Sequence, residues 1–85
     1  RGEGARAIEK GVVLPGGALP VNPSGGLKAK GHPVGATGVS QHVLAAMQLT
    51  GTFPGTQIPG SQLAAVHNMG GLAVANYVSV LERWQ

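Results

Sequence analysis

The chemistry open to this chain rests on its histidines: it has three of them, no cysteine and only three acidic side chains. His32 stands in Lys30-Gly31-His32-Pro33-Val34-Gly35, with glycines on both sides that keep side-chain bulk away. Pro33 is expected to open a helix, because its missing N–H costs nothing at the first helical position. His32 would then lie at the positive helix end, a field that disfavours imidazolium and favours a nearby anion. A neutral imidazole is what a general base must be. The same spacing reads equally well as a histidine satisfied in a turn. His67 ends an apolar run and precedes Asn68-Met69-Gly70-Gly71, and N–H groups in such a turn can form an anion nest. On that feature alone a polar strand end is the stronger reading. His42 falls inside the expected helix and reads as a partly exposed helix residue.

Around these residues several chemistries drop out. Histidines without a thiol or carboxylate companion make a poor metal site, so no metal is expected. Glu3, Glu9 and Glu82 lie far in sequence from the glycine loops, which leaves a paired-carboxylate mechanism unsupported. The absence of cysteine excludes a disulfide scaffold, a zinc knuckle and a cysteine nucleophile within this chain. Ser24-Gly25-Gly26 would let backbone approach a phosphate or amide-bearing ligand closely, though it matches neither a P-loop nor a dinucleotide fingerprint. Lys28 and Lys30 beside it either attract an anionic ligand or solvate the loop.

The elements that must position these groups follow from pattern. Residues 1–10 read as a short helix stopped by Gly11. Residues 12–14 read as a short extended run, and 15–31 form a Gly/Pro-rich connector without helical period. A helix is expected from Pro33 to Gly51. Val39, Val43, Leu44, Ala46, Met47 and Thr50 form its apolar face, and Thr37, Gln41 and Gln48 lie opposite. Gly35 and Gly38 each weaken it by roughly 1 kcal/mol, a sign of close backbone approach. Residues 51–60 are a second Gly/Pro loop. Residues 62–66 and 72–81 read as strands around a tight 67–71 turn, a hairpin of adjacent strands. The second strand is apolar on both parities, the mark of a strand covered on both faces, and one helix cannot cover both.

Composition says the same of the whole. Hydrophobic residues make 42% and charged residues 11% of the 85, too apolar and too weakly charged for a disordered tail. Glycine (15) and proline (6) reach the level at which loops dominate. With so few charges, and with Arg1 rather than Met first, the chain is expected to be a piece of something larger that buries its faces against further protein. The net charge of +3 is spread without a basic run, and there is one Phe, one Tyr and one Trp, so nucleic acid is not expected as a partner. No apolar stretch is long enough for a membrane span and no leader pattern is visible, which leaves the cytoplasm as the default compartment.

Two strings carry a resemblance. Val21-Asn22-Pro23-Ser24-Gly25-Gly26-Leu27, followed by Lys30-Gly31-His32-Pro33-Val34-Gly35-Ala36-Thr37-Gly38, closely resembles the carboxyl-terminal part of thiolases. The best likeness is to the sterol-carrier-protein-x (lipid-transfer-protein) type and the related archaeal acetoacetyl-CoA thiolases. His67-Asn68-Met69-Gly70-Gly71 resembles the loop where those branches carry H-N-x-G in place of the C-x-G of ordinary thiolases. The likeness runs from about Arg6 to Arg83.

That resemblance implies an α/β fold, the carboxyl-terminal segment of a layered αβαβα sandwich, with residues 1–85 part of the thiolase C-terminal domain and incomplete alone. It implies Claisen condensation of two acyl-CoA molecules or thiolysis of a 3-oxoacyl-CoA, with coenzyme A thioester as substrate and no further cofactor. The nucleophilic cysteine would come from the amino-terminal half. His32 matches the G-H-P histidine that activates that cysteine and hydrogen-bonds the thioester oxygen. His67 matches the second, base position. The N–H groups around Met69 and Gly70 match the loop that steadies the enolate-like oxygen; such donors are worth about 2.7–4 kcal/mol each in a dry site. Asn22, Gly25 and Gly26 match the loop lining the pantetheine channel. Implied partners are acyl-CoA or CoA, the remainder of the thiolase chain, a second copy in a homo-oligomer, and a small OB-fold protein in some of this branch. The resemblance implies a glycine in many relatives where this chain has Leu72 or Ala73. A non-condensing acyl-CoA- or lipid-binding subunit, or a complex scaffold, is the competing reading.

Overall fold

The computed structural model describes residues 1–84. Three helices precede one hairpin: α1 (Gly4–Glu9), α2 (Gly26–Lys30), α3 (Thr37–Thr50), β1 (Leu63–Gly70) and β2 (Ala75–Glu82). The strands form a two-stranded antiparallel sheet, and α3 lies across it, mainly on β1. This is a small α/β arrangement with helix on one side of the sheet only.

α1 stops where the sequence says it should, with Gly11 left-handed at φ 67°. Its one ion pair, Arg6 to Glu3 at 3.1 Å, joins two largely exposed side chains and contributes little. Residues 12–14 are not extended but form turns. The Leu14 N–H donates to Gly11 O, and the connector then returns alongside, with Leu19 N–H donating to Val12 O and Val21 N–H to Val13 O. Gly17 sits inside that fold-back, where a Cβ would overlap the carbonyl oxygens of Gly11 and Val12.

Within the 15–31 connector, expected to be loop throughout, lies α2. Leu27-Lys28-Ala29-Lys30 are good helix formers, and left-handed glycines bound them: Gly25 at φ 96° and Gly31 at φ 87°. α3 begins later than Pro33. The Pro33 carbonyl accepts the N–H of both Ala36 and Thr37 at 2.9 Å, so residues 33–37 make a turn that feeds the helix at Thr37. Gly51, at φ 72°, closes it as expected.

The buried face of α3 is not the expected one. Val39, Val43, Ala46 and Thr50 are exposed, whereas Thr37, Gln48 and Leu49 are buried. Gln48 is buried because it serves the 51–60 loop. Its Nε2 donates to Thr56 O at 2.7 Å and its Oε1 accepts the Ile58 N–H at 2.8 Å. Gln57 returns the bond, donating from Nε2 to Gln48 O at 2.8 Å.

The hairpin is shifted along the chain. Residues 67–70, expected in the turn, are the end of β1. The turn is 71–74, with Gly71, Leu72 and Ala73 all left-handed. The register pairs Val66 with Ser79, His67 with Val78 and Met69 with Asn76. One face carries Ala64, Val66, Asn68, Ser79 and Leu81 and meets α3. The opposite face, with Leu63, Ala65, His67, Met69, Asn76, Val78 and Val80, is exposed throughout. Leu49 and Val66, at 4% and 7% exposure, are the buried hydrophobic side chains among the described residues.

Candidate functional site

The start of α3 fixes His32. Its Nδ1 lies 2.7 Å from Thr37 Oγ1, and the Thr37 hydroxyl is 3.0 Å from Pro33 O. A carbonyl only accepts, so the one hydroxyl proton goes to Pro33 and Thr37 Oγ1 accepts from His32 Nδ1–H. The neutral imidazole therefore keeps its lone pair on Nε2. Thr37 was expected on the polar side of the helix; it is 4% exposed because both its hydrogen-bonding roles are filled within this turn. The contacts are those of a histidine satisfied in a turn, and they leave Nε2 without a partner in that turn. Because α3 starts at Thr37, His32 stands a turn ahead of the helix end rather than on it.

His42 reaches from α3 to the sheet. Nδ1–H donates to Gly38 O at 2.6 Å, which leaves Nε2 to accept from the Ser79 hydroxyl at 2.9 Å. This ties α3 to β2. At the same end of the helix Gly38 packs against Asn68: a methyl at Gly38 would touch Asn68 Nδ2 at 3.8 Å. The close approach expected of the helix glycines occurs at Gly38, while Gly35 faces open space. The first turn of α3 and β1 thus approach at Gly38 and Asn68, whereas His67, the next residue back, lies on the sheet face opposite α3.

His67 lies in β1, not in a turn, and its Nε2 is 3.1 Å from Asn76 Oδ1. Met69 and Gly70 are likewise strand residues, paired with Asn76 and Ala75, so their N–H groups belong to a strand end and not to a loop nest. The loop expectation failed because glycines at 70 and 71 mark the approach to the turn, and the left-handed residues follow at 71–73.

A cavity of about 770 Å³ opens between the 18–30 connector, α3 and β1. Asn22, Gly26 and Lys30 line it from the connector, Gln41 and Leu44 from α3, and Val66 and His67 from β1. That volume falls in the range of small-molecule sites. Asn22 adopts φ 48°, a conformation asparagine tolerates, and its carbonyl accepts the Gly25 N–H at 2.9 Å. Gly25 shapes this turn from outside the cavity; a Cβ there would come within 2.9 Å of the Ala29 Cβ. Of the two lysines, Lys30 faces the cavity and Lys28 does not. His32, Met69 and Gly70 are not among its lining residues. Thr37 and Asn76, which hold the two histidines, had no signal in the sequence, because both contacts depend on how turns and strands pair. Among the described residues no grouping of His, Asp and Glu could hold a metal ion, and no helix is long and apolar enough to cross a membrane.

Comparison with known proteins agrees with this architecture. The chain is 45% identical over 83 residues to an acetyl-CoA acetyltransferase of Methanothermobacter thermautotrophicus, an alignment covering 98% of this chain and 22% of that protein. It is 45% identical over 69 residues to human sterol carrier protein 2, covering 81% of this chain and 13% of the relative. A benzoylsuccinyl-CoA thiolase subunit of Thauera aromatica is 36% identical over 72 residues, covering 84% and 19%. The chain thus spans a fifth or less of the length of most of the relatives it matches. Residues 1–83 match the family described as thiolase C-terminal domain-like, and the chain belongs to that family.

Proposed function

We propose that this chain is the carboxyl-terminal part of a thiolase-like acyl-CoA acyltransferase, in which it supplies two histidines and one wall of the acyl-CoA channel. The observation that carries the reading is the His32–Thr37–Pro33 relay, which leaves a lone pair on His32 Nε2. A thiol has a pKa near 8.5, so little thiolate forms at neutral pH without a base. His32 takes that proton from the nucleophilic cysteine of the remainder of the chain. The thiolate attacks the thioester carbon, the C–S bond to CoA breaks, and the imidazolium returns the proton to the departing CoA thiolate. His67 then serves as base for the second half-reaction. The family likeness alone gives the N–H groups of Met69 and Gly70, at the end of β1 rather than in a loop, the part of steadying the developing oxyanion. Asn22 and Gly26 line the pantetheine path with Lys30 beside it, a cation suited to an anionic ligand, and Gly25 holds their turn.

The test is acyl transfer from an acyl-CoA by the complete protein. His32→Ala should lower turnover by about two to four orders of magnitude, the usual worth of a positioned acid–base group. His32→Asn should keep the fold and lose proton transfer. A well-folded His32→Ala protein with near-normal turnover and weakened CoA affinity would replace this reading with that of a binding subunit. Association with a second copy, or with a small OB-fold partner, is proposed on the family likeness alone and is tested by the mass of the purified complex in solution.

A further inference from the structure

Asn76 lies on the same face of the hairpin as His67, diagonal to it across the strand pair, since the register sets Asn76 against Met69 and Val78 against His67. Its two side-chain atoms have distinct partners. Nδ2 is 2.8 Å from Ala73 O, and Oδ1 is 3.1 Å from His67 Nε2. The Ala73 carbonyl can only accept, so the amide nitrogen must point to it and Oδ1 must point to the histidine. Oδ1 also only accepts, so His67 carries its proton on Nε2 and its lone pair on Nδ1. Among the described residues Nδ1 makes no hydrogen bond.

We propose that Asn76 is a positioning residue for His67: anchored by the Ala73 carbonyl, it holds the imidazole in the Nε2–H tautomer and presents Nδ1 as the proton acceptor. The anchor lies in the 71–74 turn, where Ala73 is the third of three successive left-handed residues. The turn therefore sets the orientation of a side chain six residues upstream. The arrangement also distinguishes the two histidines: His32 offers Nε2 and His67 offers Nδ1. This inference rests on the reading of His67 as a site histidine.

The experiment is the ¹⁵N spectrum of the complete protein labelled at histidine, with His67 assigned by its disappearance in His67→Gln. The wild-type ring should show a protonated Nε2 and an unprotonated Nδ1. In Asn76→Ala it should move toward the mixed tautomer pattern of a free imidazole. Turnover of Asn76→Ala should fall about tenfold with KM for acyl-CoA unchanged, the lower end of what partners behind a functional imidazole are worth. A wild-type Nδ1–H tautomer, or a His67 spectrum unaltered in Asn76→Ala, overturns the proposal. If the tautomer shifts in Asn76→Ala but His67→Ala leaves turnover intact, the positioning role stands and the catalytic reading of His67 fails.

Discussion

Leu72 and Ala73 occupy left-handed backbone at φ 57° and 67°, directly after Gly71 at φ 57°. For a residue with a Cβ this conformation costs roughly 1–2 kcal/mol, and glycine escapes the cost. The turn therefore stores strain at two residues that carry a Cβ. Ala73→Gly in the complete protein should raise stability by about 1 kcal/mol, partly offset by the freedom glycine gains in the unfolded chain. The denaturant midpoint of the two proteins measures it; an unchanged or lowered midpoint would mean the turn relaxes elsewhere. The same scale shows what the sequence could tell about single residues. Gly11 and Gly51 were legible, because a left-handed backbone at a helix end asks for glycine; Gly25 was read as a ligand-approach glycine and its place at the start of α2 was not. His32 was legible as a histidine satisfied in a turn. Its partner Thr37 was not, since a threonine one helical turn on looks like any polar residue until the Pro33 carbonyl fixes its hydroxyl.

Elements were legible by kind more than by edge or face. Periodicity finds α3, and the two apolar runs find the hairpin. The start of α3 moved from Pro33 to Thr37 because the proline opens a turn that precedes the helix, and the hairpin slid because Gly70 ends β1 and the turn begins only at Gly71. The inward face of α3 was misassigned for a physical reason: both sides of the helix carry apolar residues, and the side that is buried here is chosen by Gln48. That side chain satisfies Thr56 O and Ile58 N and so stands in for a strand partner to the 51–60 loop. Gln48→Leu would fill similar space but leave both backbone groups without a partner. Thr56 is exposed and its carbonyl can turn to water, so the cost falls on the part-buried Ile58 N–H and should be about 1–3 kcal/mol. Thermal unfolding of the complete protein checks this, with hydrogen exchange at Ile58 rising in the variant. A loss below about 0.5 kcal/mol would mean that water replaces the glutamine.

The whole molecule shows too much surface for its mass. A compact monomer of 8.5 kDa exposes about 4,700 Å². This chain exposes 6529 Å². Its radius of gyration, 13.6 Å, also exceeds the roughly 12 Å of a compact chain of this length. The excess is apolar: the outer sheet face and the Val39–Val43 stripe of α3 both lie open. On the proposed reading these are surfaces that the remainder of a thiolase covers. Residues 1–85 alone should therefore be unfolded or aggregated, and circular dichroism with a denaturant titration should show no sharp cooperative transition. A second measurement addresses the covering itself. Val80 is 71% exposed on the face opposite α3. If that exposure held in the complete protein, Val80→Lys would be a surface change, worth within about 0.5 kcal/mol. Under a covering layer the same substitution buries an unpaired ammonium and removes packed methyl groups. It should then destabilise the complete protein by about 3 kcal/mol or more, or abolish folding. Glu82 points to the same face at the sheet edge, beside Leu63, so Glu82→Lys serves as the control that should be tolerated where the edge meets water. Equal, negligible effects at both positions would show that the sheet face stays open and that the chain is not part of a layered sandwich.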